Sequence, residues 1–398
     1  MYILDKKSER VFLAIFFATF FAMFGETLPL SFQPLFIRNL GLSASLLTLL
    51  YNIRNIIQTV LRLVAGTLSD ALGRRNMMIF GLALFALVPF IYSIAQNPWT
   101  AAVAMMISGF ALSIYFPPSE AYASSLFPPE RAGEVMGRYH MSWAISSVIG
   151  PSIGGFIAGY LGYRMIFTIA GVITTIGLFI SWRYTEDDRD YSCPLSPAEQ
   201  IRTTFNEFPG TMGRLMKNRK ILVASIAVFA HSFTHWGLPT FIPLLGEELG
   251  MSEFLIGITL TANSLMIAIA LPLVGRISDR VGRFLPIFSG LGASIFAFAL
   301  IPILPSFWMF PIVNGILGIC AVLVFPVSQA ATMESLPSAD RGSATGVWGM
   351  VMSLGGTLGL FTMSGLLAVA EIKWGFYLSA TFTTILTIII FMMREYFD

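Results

Sequence analysis

Apolar residues run along this chain in long, unbroken stretches, punctuated at intervals by short polar clusters. A helix needs about 20 apolar residues to cross the hydrocarbon core of a bilayer. Windows of that length predict twelve crossings, near 11–36, 43–65, 76–96, 99–125, 133–160, 163–183, 220–245, 252–275, 284–304, 306–332, 343–368 and 374–393. Continuous runs favour helices over a barrel, whose strands alternate. The predicted fold class is an all-α integral membrane protein. Lys6, Lys7 and Arg10 before an apolar run resemble an export leader. The run continues past a leader's apolar region and no small-residue cleavage site follows, so it is read as the first crossing.

The basic residues orient these crossings. With both termini cytoplasmic, Lys6, Lys7, Arg10, Arg74, Arg75, Arg131, Arg138, Arg183, Arg276, Arg280, Arg283, Arg341 and Arg394 all fall inside. Only Arg38, Arg164 and Lys373 fall outside, a strong positive-inside bias. The expected location is the cell's inner or plasma membrane. Composition agrees: 56% of the 398 residues are hydrophobic and 12% charged, with mean hydropathy +0.75. Soluble domains are about a quarter charged, so this chain lacks the polar groups to cover a water-facing surface. Its net charge of +2 adds little, because the distribution carries the information. Cys193 and Cys320 are poor partners for one another, and no disulfide framework or metal site is expected.

The chain also matches itself at an offset of 209 residues. Gly66, Ser69-Asp70 and Gly73-Arg74 fall on Gly275, Ser278-Asp279 and Gly282-Arg283. Pro34-Leu35, Leu40-Gly41, Trp99, Gly109 and Phe116-Pro117 fall on Pro243-Leu244, Leu249-Gly250, Trp308, Gly318 and Phe325-Pro326. One ungapped register predicts two parallel six-helix bundles, residues 1–183 and 220–398, with substrate held between them near mid-membrane. Residues 184–219 read as a polar cytoplasmic linker, in which Ser196-Pro197-Ala198-Glu199 opens a short amphipathic helix.

Gly66-Thr67-Leu68-Ser69-Asp70-Ala71-Leu72-Gly73-Arg74-Arg75 closely resembles the loop signature of the major facilitator superfamily, G-x-L-x-D-x-x-G-R-[KR]. Gly275 to Arg283 repeat it in the second half, so the resemblance covers essentially the whole chain. It implies the two-bundle fold, and gating loops in which Asp70 docks at the start of the eleventh crossing and Asp279 at the start of the fifth. Gly66, Gly73, Arg74 and Arg283 belong to these loops; topology alone would also account for Arg74 and Arg75. A second element, Gly150-Pro151-Ser152-Ile153-Gly154-Gly155, resembles the G-P-x-x-G-G run of proton-coupled drug exporters in that superfamily. Pro151 bends its helix, and the glycines form a strip open to close helix approach. Tight packing would explain the strip as well. The fourth crossing departs from those exporters: Met105 stands where they carry an Arg four residues before a glycine, here Gly109.

Ionisable groups inside a bilayer are expensive and point to function. Glu26 lies about 15 residues into the first crossing and Arg54 about 11 into the second, at comparable depth and within reach of pairing. Glu26 is the first candidate to carry a proton; a static pair that fixes packing is the alternative. At the repeat offset Glu26 falls on His235 and Arg54 on Asn263. His231 and His235, four apart, share a helical face, and imidazoles titrate near neutral pH. Glu120 is a further coupling candidate, while Tyr51, Asn55, Gln58, Trp236 and Asn263 are expected to line the substrate cavity.

No Walker loop, hydrolase elbow or H-E-x-x-H appears, so neither ATP drive nor catalysis is expected. The expected function is alternating-access secondary transport without a bound cofactor, driven by the proton gradient. The partners are a small-molecule substrate, protons and lipids, with no nucleic acid, and the chain is expected to be a monomer. Export of amphipathic or drug-like molecules is favoured. The alternative is proton-coupled uptake of a small organic anion received by Arg54, and a sensor or lipid scramblase would fit the same scaffold.

Overall fold

The computed structural model describes residues 6–128, 131–186, 213, 217–335 and 341–396. Among them there are helices and turns and no strand. In the first half these are α1 (Lys6–Leu30), α2 (Gln33–Asn39), α3 (Ala44–Leu72), α4 (Arg74–Ile94), α5 (Pro98–Ser125), α6 (Ala132–Leu161) and α7 (Tyr163–Tyr184). The second half has α8 (Arg219–His235), α9 (Leu238–Glu248), α10 (Glu253–Val281), α11 (Phe284–Leu300), α12 (Met309–Glu334), α13 (Arg341–Leu367) and α14 (Ile372–Met392). The linker's Ser196-Pro197 element and Cys193 lie outside the described residues.

Eleven helices among the described residues are long and apolar enough to cross a membrane. The segment expected to be the second crossing, α3, is not one of them, because Asn52, Arg54, Asn55, Gln58 and Arg62 interrupt its apolar face. Two crossings expected to be continuous are broken. The chain turns at Ser31-Phe32 between α1 and α2, and at Trp236-Gly237 between α8 and α9. Each following helix opens with a proline, Pro34 or Pro239, at its first turn, where the missing N–H costs nothing. Conversely, α3 and α10 outrun the expected ends at 65 and 275. Gly66 and Gly275 do not stop them. The stop comes at Gly73 and Gly282, with φ of 89° and 83°, a region that side chains resist.

The repeat is preserved in three dimensions. Both ends of α10 are those of α3 displaced by 209 residues. A Cβ on Gly81 would meet Tyr115 N at 2.7 Å and Ile114 C at 3.0 Å. One on Gly290 would meet their counterparts, Leu323 Cβ at 2.6 Å and Val324 Cγ2 at 3.0 Å. Likewise Ser146 donates to the Phe20 carbonyl at 3.0 Å, and a Cβ on the equivalent Gly355 would sit 2.7 Å from the Phe229 carbonyl. Helices that approach this closely gain dispersion contacts, the main attraction between helices in lipid.

The helices cluster into two compact units. One comprises Met1–Leu42 and Ile53–Thr204, the other Ser43–Asn52 and Phe205–Asp398. The first is packed around Phe12, Ile15, Leu82, Phe85, Tyr115 and Tyr139, the second around Val223, Ile287, Leu291 and Val324. Within the second, Ser45 and Ser364 each donate to the other's carbonyl, at 2.7 and 2.8 Å. Large apolar side chains such as Phe80, Trp99, Tyr160, Phe296 and Met392 are left exposed.

Candidate functional site

In the first unit, α1 and α3 bring Glu26 and Arg54 together, with Arg54 Nη2 donating to Glu26 Oε1 at 2.7 Å. The pair forms where it does because α5 has no side chain at Gly109. A Cβ there would lie 2.9 Å from Arg54 Cγ and 3.0 Å from its carbonyl oxygen. One turn on, Ser113 donates to the Gly109 carbonyl at 2.6 Å and to the Gln58 carbonyl at 3.2 Å, joining α5 to α3. Met105 is fully buried on α5, so the cation against Gly109 comes from α3. The burial of the two partners is unequal, the Arg54 side chain being 9% exposed and that of Glu26 22%. A guanidinium with so little water is stable only beside an opposite charge. Of the two groups, it is the carboxylate that remains accessible.

The other sequence candidates of this unit are more scattered. Asn55 and Gln58 are half-buried one residue and one turn from Arg54, while Tyr51, on the part of α3 that clusters with the second unit, is buried. Glu120 is half-buried on α5. The Arg62 guanidinium lies 5.6 Å from the Phe116 ring centroid. Gly150 packs against Thr27, and Gly154 against the Leu28 carbonyl, so the strip holds α6 against α1. Pro151 lies within α6 and Gly155 is buried on it.

Four hydroxyls not singled out from the sequence meet nearby. Thr19 Oγ1 lies 2.7 Å from Tyr115 Oη, and Ser119 Oγ lies 2.7 Å from Tyr139 Oη. All four residues are at most 1% exposed.

In the second unit the corresponding positions carry no carboxylate. His231 and His235 share a face of α8 with ring centroids 4.0 Å apart. His235 Nδ1 lies 3.2 Å from the His231 carbonyl and 3.1 Å from Thr234 Oγ1, and its ring meets Phe298 edge-on. Among the described residues no three His, Cys, Asp or Glu side chains gather, and two imidazoles supply half of a zinc site. Asn263, the counterpart of Arg54, donates to the Asn314 carbonyl at 2.8 Å, and Asn314 Nδ2 donates to the Thr259 carbonyl at 2.8 Å. Gly318 abuts the Asn263 backbone as Gly109 abuts Arg54. Trp236 packs its indole against Gly356.

Of the loop residues, the side chains of Gly66 and Asp70 lie outside the described residues. Gly73 makes the turn, Arg74 donates to the Ala121 carbonyl at 3.5 Å, and Arg75 donates to the Thr185 and Trp182 carbonyls at 2.9 Å each. In the second loop Arg283 pairs with Asp279 at 2.7 Å and with Glu334.

Comparison with known proteins finds relatives along the length of the chain. The profile of the Major Facilitator Superfamily matches residues 15–244 and 224–398. An uncharacterised MFS-type transporter of Methanocaldococcus jannaschii is 22% identical over 98% of this chain and 99% of its own. The multidrug resistance protein MdtG of Proteus mirabilis is 23% identical over 82% of each chain. The quinolone resistance protein NorA of Staphylococcus aureus is 27% identical over 44% of each. Among solved structures, an inward-facing bacterial homologue of the lysosomal transporter Spinster superposes with TM-score 0.79 at 17% identity, covering 98% of this chain and 97% of its own. That likeness establishes the fold.

Proposed function

Because this chain belongs to the Major Facilitator Superfamily, a family of multi-pass membrane transporters and not of enzymes, we propose that it exports amphipathic, drug-like small molecules in exchange for protons by alternating access. In this reading α3 also crosses the membrane, as the second of twelve, its polar face turned from lipid, and the repeats form two six-helix bundles. The chain lies in the cell membrane with both termini cytoplasmic, works as a monomer, and draws on the proton gradient with no bound cofactor. Asp70 and Asp279 act in the gating loops, and Tyr51, Asn55, Gln58, Trp236 and Asn263 line the route of the substrate.

The observation that carries the proposal is the buried Glu26–Arg54 pair. A carboxylate at this depth holds one of two things beside Arg54: a proton or a cationic group of the substrate. Protonation removes the negative charge that Arg54 faces here, so the loaded and unloaded states differ in electrostatic energy by enough to bias a conformational equilibrium. Competition of proton and cation for one carboxylate is antiport. The unequal burial favours export of cationic amphiphiles over anion uptake, since an incoming anion would have to reach the 9% exposed Arg54 behind its carboxylate partner. One relative is named as a multi-drug resistance efflux pump and two as multidrug or quinolone resistance proteins, and one from Planococcus maritimus, 23% identical over 73% of this chain, is named as a Na(+), Li(+), K(+)/H(+) antiporter.

The test is reconstitution in proteoliposomes carrying a lumenal pH dye, with ethidium as the probe. Ethidium flux should move protons the opposite way. Glu26→Gln should slow that proton movement by about tenfold or more, equivalent to ~1.4 kcal/mol. Ethidium transport by the unaltered protein without proton movement would refute antiport. Full gradient-driven transport by Glu26→Gln would remove Glu26 from the mechanism.

A further inference from the structure

We propose that the second unit carries a binding site for the phosphodiester headgroup of an anionic phospholipid, in a pocket where α8 and α11 begin and α12 ends. Such a site would serve an exporter or an importer alike.

The pocket has a volume of about 390 Å³ and is lined by Asn218, Lys220, Arg283, Ala331, Glu334 and Ser335. Small-molecule sites usually fall within about 300–1,000 Å³. All three helices are long and apolar enough to cross a membrane, and they meet here by their ends. The pocket therefore lies at the level where hydrocarbon gives way to lipid phosphates. Asn218 frames it. Its Oδ1 accepts from Lys220 N at 3.0 Å, capping α8, and its Nδ2 donates to the Ser335 carbonyl at 3.4 Å, tying α8 to the end of α12. The second N–H of that amide is left for a ligand.

Two cations and one carboxylate line the pocket, leaving one positive charge. Arg283 is already held by Glu334 and by Asp279, which is 65% exposed and screened by water. Arg219 turns to Tyr396, its guanidinium 4.4 Å from the ring centroid. Lys220 is different: among the described residues its ammonium has no carboxylate partner. An ammonium is a common phosphate binder, acting as a point charge. Glu334 disfavours a dianion in the same space, so a diester with a single negative charge fits better than free phosphate. Basic pockets between membrane helices suit anionic headgroups in general.

The first unit provides the control. At the repeat offset Asn218, Lys220, Ala331 and Ser335 fall on Glu9, Val11, Tyr122 and Leu126. Val11 and Tyr122 belong to the buried core there, and Leu126 packs against it. The Tyr122 hydroxyl donates to the Glu186 carbonyl at 2.7 Å, and Glu9 is taken up by Arg138 through two bonds of 3.0 Å. The same junction of helices is thus closed by a valine, a phenol and a leucine. Nothing in the repeated backbone demands an opening. The second half makes one by placing Ala331 where the phenol would be, and it lines that opening with Lys220 and Ser335 where the first half is apolar. Cavities left merely by imperfect packing are apolar.

The experiment titrates phosphatidylglycerol into the detergent-solubilised protein and counts bound lipid by native mass spectrometry, with phosphatidylcholine as competitor and inorganic phosphate in a parallel series. Three variants are compared with the unaltered chain. Lys220→Gln removes the unpaired cation. Ala331→Tyr closes the pocket with the first half's own phenol. Arg183→Gln removes an exposed base at the end of another helix, α7. Expected is phosphatidylglycerol binding about tenfold weaker in Lys220→Gln and Ala331→Tyr, the usual loss of a hydrogen bond to a charged group, and unchanged in Arg183→Gln. An equal loss in Arg183→Gln would reduce the effect to general surface charge and overturn the site. So would undiminished binding in Lys220→Gln, equal retention of phosphatidylcholine, or binding of inorganic phosphate without the lipid. If Ala331→Tyr does not fold, Lys220→Gln, an exchange on an exposed side chain, carries the test alone.

Discussion

The two halves of this protein repeat one backbone and diverge in what they bury within it. In both, a glycine on the fourth long helix, Gly109 or Gly318, lets the second approach within contact of its backbone. Against Gly109 that helix places Arg54, in an ion pair with Glu26; against Gly318 it places Asn263, in a ladder of neutral amide bonds. Helix packing therefore does not require the charges, and at these positions only the first half has them. The comparison separates scaffold from chemistry more cleanly than either half alone. Its sharpest test is to remove the same feature from both halves. Arg54→Leu strands a carboxylate and should destabilise the protein by about 3–5 kcal/mol, the usual effect of breaking a buried pair. Asn263→Leu gives up an amide hydrogen bond and should cost only about 1 kcal/mol. Thermal unfolding in one detergent reads both. Equal losses would mean the ion pair is better solvated than its 9% and 22% exposures indicate.

Next in size is the glycine pair itself. Gly109→Ala and Gly318→Ala each gain about 1 kcal/mol of helix propensity and lose about 1–3 kcal/mol to overpacking. The neighbours decide which is worse. The three atoms nearest a Cβ on Gly318 are all Asn263 backbone, with Cα at 3.2 Å, whereas at Gly109 the nearest is Arg54 Cγ at 2.9 Å, on a side chain, with the Arg54 carbonyl oxygen next at 3.0 Å. Gly318→Ala should therefore lower the unfolding temperature more. Gly109→Ala should instead be felt in transport, because the yielding side chain is the one that holds Glu26. A larger stability loss at Gly109 than at Gly318 would reverse that assignment.

These contrasts also show what a sequence can and cannot display. The helices were legible because a bilayer demands long apolar runs, and the Glu26–Arg54 contact because sequential helices of known rise place both groups at one depth. The His231–His235 stacking follows from four-residue spacing on one face. The breaks after α1 and α8 were not legible, since apolar composition continues through Ser31-Phe32 and Trp236-Gly237 while the backbone turns. Nor were the Thr19–Tyr115 and Ser119–Tyr139 contacts, because side chains on different helices meet only when each helix is rotated correctly, and hydropathy does not fix rotation. The repeat offset held the missing signal: Thr19, Tyr115 and Tyr139 are the positions where the second half turns to Val, Val and Trp.

The smallest effect belongs to the loop that looks most richly bonded. Arg283 meets Glu334, Asp279 and, at 2.5 Å, the Ser278 hydroxyl. The Glu334 carboxylate first, then Asp279, push the guanidinium above its ordinary range, against a partial burial that opposes them. Glu334 and Asp279 are nevertheless 56% and 65% exposed, so water and salt screen most of the attraction. Arg283→Ala should cost no more than about 1 kcal/mol, and less in high salt. In the first half Arg75 takes the carbonyls of Thr185 and Trp182 at the C-terminal end of α7, where a cation offsets the helix dipole and unpaired acceptors together. Arg75→Ala should therefore lose about as much as Arg283→Ala or slightly more, with weaker dependence on salt. Unfolding temperatures of both variants at low and high ionic strength decide it. A large, salt-insensitive loss for Arg283→Ala would show that this cluster is structural cement comparable to the buried pair. A small one leaves its residues free to exchange partners, which is what a loop that opens and closes requires.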